Sequence, residues 1–139
     1  MTGTFEELCT SIRKFFMAIP WGTLDGDVEF VYDNSHAPDQ TLKIQIRFTI
    51  KPGEATLVSV GVPSGRVFRQ FGVVFMQIMS PLNVGSIDME AVIAKLQTVY
   101  SGVTHEGVIY RTPQVSDPVR SSDKWMSTVS VPFYADRLG

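Results

Sequence analysis

The chain has 139 residues, a formal net charge of -2, a pI near 5.6, 44% apolar residues and 19% charged ones. These values describe a single globular domain over residues 1–139 with one sizeable core, and they exclude a disordered chain. They also argue against a dedicated nucleic-acid binder, whose phosphate contacts demand a basic surface, so no specific nucleic-acid recognition is expected.

Cys9 is the only cysteine, which excludes an intrachain disulfide and makes the cytosol an adequate folding compartment. The first seven residues are acidic where a secretory signal is basic. No apolar run approaches the roughly 18 residues needed to span a bilayer, and the longest, Val73 to Met79, is interrupted by Gln77. A soluble protein made in the cytoplasm, with no membrane partner, is the expectation.

Thr4 and Glu7 form a capping-box pattern ahead of Phe5, Leu8, Ile12, Phe15, Phe16 and Ile19, which recur at helical spacing. Pro20 and Gly22 end this first predicted helix. Residues 21–40 are rich in Asp, Gly, Asn and Pro and read as a long connection with one extended piece at Val28 to Tyr32. Leu42, Ile44, Ile46, Phe48 and Ile50 then alternate with Lys43, Gln45, Arg47, Thr49 and Lys51, the period of a half-buried strand.

Pro52-Gly53-Glu54 predicts a turn into a second strand, Thr56 to Val62. Arg66 to Met79 follows as a long strand, apolar on both faces at Val73, Val74, Phe75, Met76 and Ile78, which predicts a central strand covered on both sides. Ser86 is a candidate N-cap for a second helix, with Asp88 and Glu90 in its first turn and Met89, Val92, Ile93, Leu96, Val99 and Tyr100 as its buried stripe. Gly102 can end it.

Gly107 to Val115 predicts another strand, Asp117 to Lys124 a polar loop, and Trp125 to Asp136 the last strand. In that strand Trp125, Val129, Val131, Phe133 and Ala135 share one face, while Met126, Thr128, Ser130, Tyr134 and Asp136 share the other. Pro132 cannot donate to a ladder, so it predicts an edge, a bulge or a strand end. The order α-β-β-β-α-β-β predicts an α+β fold: a mixed, mostly antiparallel sheet with two helices packed on one face.

A search for chemistry finds none. His36 and His105 sit in polar, turn-like surroundings without the companions a metal site needs. Cys9 lies beside an apolar stripe with no neighbouring histidine, and reads as a small core residue. Asp25 to Glu29 lacks the spacing of a calcium loop, and Gly61 to Arg66 lacks the Lys-Ser/Thr of a phosphate loop. There is no nucleophile elbow and no carboxylate pair on a strand face. Catalytic, cofactor and metal sites are therefore not expected, nor is an enzyme. Lys43, Arg47 and Lys51 share the polar face of one predicted strand, which reads either as a solvated face or as a surface for an acidic partner.

Three stretches together resemble the tail terminator, or tail completion, family of long-tailed bacteriophages. The first is the opening helix followed by Tyr32-Asp33-Asn34; the second is Arg66 to Ile78 leading through Pro81 and Gly85 into the second helix. The third is Trp125 to Asp136, with its Trp-x-x-x-Val-x-Val-Pro-Phe-x-Ala-Asp pattern. The order of elements is similar over nearly the whole chain, and the long acidic connection at 21–40 departs from it.

The resemblance implies a structural virion protein that forms a ring, typically a hexamer, at the head-proximal end of the tail tube. Its implied partners are other copies of itself, the tube protein and the head-tail connector, and it would be assembled in the host cytoplasm. Lys43, Arg47, Lys51 and Tyr134 are the candidate assembly contacts. Another connector or minor tail protein, or a non-viral small binding module, is the alternative reading.

Overall fold

Helix α1 spans Phe5–Met17 in the computed structural model, which describes residues 4–20, 28–32, 44–59, 66–81, 87–120 and 124–138. The Glu7 amide donates to Thr4 Oγ1 at 3.4 Å, one half of the predicted capping box. Leu8, Ile12 and Phe16 recur at 4-residue spacing and are wholly buried, whereas Phe5, one turn earlier on the same stripe, stays exposed. Helix α2 spans Ile87–Tyr100 and buries Met89, Val92, Leu96 and Tyr100. Gly102 follows it at φ 63, the left-handed conformation that stops a helix and favours glycine. The predicted cap at Ser86 lies outside the described residues.

Among the described residues the strands are β1 (Val28–Tyr32), β2 (Ile44–Ser59), β3 (Val67–Pro81), β4 (Thr104–His105), β5 (Val108–Tyr110), β6 (Gln114–Val115), β7 (Val119–Arg120) and β8 (Lys124–Leu138). They form one sheet in the order β1-β2-β3-β8-β5-β4, with β6 and β7 also pairing with β8. β1 runs parallel to β2, and every other pairing is antiparallel. The architecture is the expected α+β layer.

Directly opposed residues share a sheet face, so the register fixes the core. Phe48 faces Met76, which faces Val129; Ile46 faces Ile78; Val74 faces Val131. All of these are buried and form a single cluster with the stripes of both helices. The Phe16 and Phe48 rings stack with centroids 4.5 Å apart, tying α1 to this face.

Several sequence expectations are corrected. Pro52-Gly53-Glu54 is not a turn: β2 runs straight through it, with a register shift between Pro52 and Ala55 that marks a bulge. A buried side chain holds that bulge. Gln70 Nε2 donates to the Gly53 carbonyl at 3.0 Å and to the Phe71 carbonyl at 2.8 Å, and its Oε1 accepts from Arg137 Nε at 3.2 Å.

The predicted strand Gly107 to Val115 is broken at 111–113, and Val119–Arg120, expected in a loop, pairs with β8. That break explains Pro132, which lies in an interior strand. Its carbonyl accepts from the Arg111 amide at 2.8 Å. A strand residue points its N–H and C=O to the same side, so the donor that proline lacks faces the interruption between β5 and β6.

Strand β3 is central, as expected, but the helices cover only one of its faces. Val74, Met76 and Ile78 are buried, while Val73, Phe75 and Met79 on the other face are half-buried and Phe71 is 40% exposed.

Candidate assembly surface

Of the four residues singled out from sequence, Lys43 lies outside the described residues; the other three come together on this second face. Arg47 and Lys51 project from β2 and Tyr134 from β8, with β3 between them. Period-2 geometry places them there: Lys51 faces Val73, Arg47 faces Gln77, and Tyr134 faces Phe71.

Lys51 is exposed, and its Nζ sits 5.2 Å from the Phe75 ring centroid. Tyr134 and Phe71 have centroids 5.9 Å apart. Arg69 lies over the Tyr134 ring at 5.7 Å and forms a two-pronged ion pair with Asp136, at 2.9 Å and 3.3 Å. The carboxylate raises the Arg69 pKa further through the hydrogen bond and its charge, so the guanidinium stays cationic. The pair is half-exposed and contributes little stability; it orients the aromatic ring below it.

The face thus combines half-exposed apolar side chains with cations. Among the described residues neither Arg47 nor Lys51 has a carboxylate partner. Apolar side chains interspersed with aromatic rings and arginine are the composition found at protein interfaces.

A different surface occupies the helix side. Glu6, Glu7, Thr10, Ser11 and Lys14 of α1 and Glu106 of the β4–β5 turn line a groove of about 270 Å³. Ser11 Oγ donates to Glu106 Oε2 at 2.6 Å. Glu106 has φ 51 and Gly107 φ 81, both positive, as a two-residue hairpin turn requires. A non-glycine residue rarely takes that conformation, and the hydrogen bond from Ser11 helps to hold it. Each half of the groove is visible in sequence, as a capping box and as a Glu-Gly dipeptide. Their contact is not, because they lie 95 residues apart.

The remaining candidates show packing rather than chemistry. His36 lies outside the described residues; His105 stacks on Phe15 with centroids 4.7 Å apart. Cys9 is half-buried, and burial pushes its thiol up against a smaller lowering from Arg13, which makes it a weak nucleophile. Among the described residues no three metal-ligating side chains converge, and no helix is long and apolar enough to cross a membrane. Tyr100 and Tyr110 are buried side by side with centroids 5.1 Å apart, and neither hydroxyl has a hydrogen-bond partner among the described residues. Burial pushes both phenols well above the ordinary tyrosine range.

No family model and no curated protein matches this sequence. Solved structures do match. One, which carries no functional name, aligns over 91% of this chain and 94% of its own length with a TM-score of 0.63. At 17% identity the likeness is one of fold alone.

Proposed function

We propose that this chain is a structural virion protein of the tail terminator kind. It forms a ring that caps the tail tube of a long-tailed bacteriophage, stops its polymerisation and offers a surface to the head-tail connector. The observation that carries the reading is an α+β domain whose sheet is covered by helices on one face and presents apolar and basic side chains on the other. A subunit whose task is assembly needs such surfaces and needs no catalytic group. The opening helix, the long Arg66 to Ile78 segment and the Trp125 to Asp136 pattern support the same reading by resemblance.

A ring requires heterologous contacts that close after a fixed rotation, and a hexamer is the expected closure. Residues Arg47, Lys51 and Tyr134 belong to the contact surface in this reading, and the chain would reside at the head-proximal end of the tail. Adding the purified protein to polymerising tube protein tests it. Tubes that stop growing with a ring at one end support the proposal, and tubes that grow to unchanged length overturn it.

A further inference from the structure

We infer that the open sheet face of one copy docks head to tail on the acidic α1 groove of a second copy of this chain, an inference that rests on the ring reading. Charge decides the occupant. Among the described residues, strand register puts Arg47, Lys51, Arg69 and Lys124 on the sheet face against Glu29 and Asp136, and Asp136 is already paired with Arg69. The groove presents the carboxylates of Glu6, Glu7 and Glu106 against Lys14. Its formal charge of about -2 outweighs the roughly +0.5 charge at the N-terminus of α1, so it attracts a cationic side chain. The two surfaces lie on opposite sides of the subunit, since α1 packs on the other face of the sheet.

Two other occupants fit less well. An isologous pairing of sheet face on sheet face would set Arg47 and Lys51 of each copy against a face that is itself net cationic, with Glu29 as the one carboxylate besides the Arg69-paired Asp136 that register puts on it among the described residues. A single-stranded nucleic acid would need free aromatic faces on which to stack its bases. Lys51 and Arg69 already lie over Phe75 and Tyr134, and the chain as a whole is acidic. A head-to-tail contact meets neither objection. It also makes each subunit a donor on one side and an acceptor on the other, the arrangement a closed ring uses.

Lys51→Glu and Glu6→Lys test this in sedimentation velocity at low ionic strength, with melting temperature as the check on folding. Each variant alone should associate at least roughly tenfold more weakly than the wild type, because each juxtaposes like charges. An equimolar mixture of the two should recover assembly. Lys51 of the Glu6→Lys copy meets an intact groove, and the carboxylate introduced at position 51 of the other copy meets the ammonium introduced at position 6. Should Glu6→Lys lower the melting temperature, Glu6→Gln supplies the groove-side test, with weakened association expected. Wild-type rings whose variants assemble equally well, or a mixture that stays dissociated, overturn the contact and leave the ring reading standing. Oligonucleotide binding by the wild type that competes with assembly also overturns it. A wild type that stays monomeric at millimolar concentration, alone and on tubes, overturns the contact and the ring together.

Discussion

Gly72 and Phe133 form a cross-strand pair at the end of the core, and a substitution at either has a calculable effect on the other. A Cβ at residue 72 would sit 2.6 Å from Phe133 Cζ and 2.9 Å from the Lys51 carbonyl oxygen, both inside van der Waals contact. The Phe133 ring is only 3% exposed and lies across the bare glycine backbone, filling space that a side chain would otherwise take. Gly72→Ala must move the ring or push neighbouring ladder strands apart. Overpacking of this kind costs about 1–3 kcal/mol, and the entropic gain of about 0.5–1 kcal/mol from removing a strand glycine offsets some of it. Phe133→Ala removes the ring and costs about 3–5 kcal/mol.

The double variant separates this mechanism from two independent losses. Removing the ring abolishes the side-chain collision at residue 72 and leaves the backbone one, with the Lys51 carbonyl. The double variant should therefore cost less than the two single losses together, with a favourable coupling of about 1 kcal/mol in a double-mutant cycle. Urea unfolding followed by circular dichroism measures all four corners. Costs that add to within about 0.5 kcal/mol would show that the ring does not occupy the glycine site. An unchanged stability in Phe133→Ala would place the ring outside the core.

Four more outcomes are expected. Gln70→Leu should cost about 1–3 kcal/mol by stranding the Gly53 and Phe71 carbonyls at the β2 bulge, and a loss below about 0.5 kcal/mol would mean the bulge holds itself. Both Tyr100 and Tyr110 have folded-state pKa values raised by burial, so the unfolded chain releases their protons first: stability is intact below about pH 10 and falls above it, by up to roughly 2.7 kcal/mol per pH unit for two phenols. Tyr100→Phe should halve that alkaline slope without loss at pH 7, and a loss above about 1 kcal/mol at pH 7 would reveal a bond to its hydroxyl. Arg47→Glu with Lys51→Glu should impair tail completion while leaving the melting temperature nearly unchanged, and normal completion would remove these residues from the contact surface.

The fold is legible where periodicity is strong. Leu8, Ile12 and Phe16 announce α1, and the alternation of Val129, Val131 and Phe133 announces the buried face of β8. Tertiary contacts override local turn chemistry elsewhere. Pro52-Gly53 makes a bulge instead of a turn because Gln70, 17 residues later, satisfies its carbonyl. Val119–Arg120 looks like loop sequence and becomes a strand because β8 is long enough to pair with it.

The open face of β3 is hidden from sequence reading because apolar side chains on both faces do not say what covers them: helices cover one face and leave Phe71, Phe75 and Tyr134 partly exposed. Of the candidate contacts, Arg47, Lys51 and Tyr134 share that face, yet the acidic groove on the other side of the subunit emerges only when folding brings Glu106 to α1.

Electron microscopy of tails assembled with and without this protein tests the central claim most directly. Tubes of uncontrolled, excessive length and no joined heads are expected in its absence, with normal length restored by the wild-type chain. Tails of normal length formed without it would contradict the terminator function.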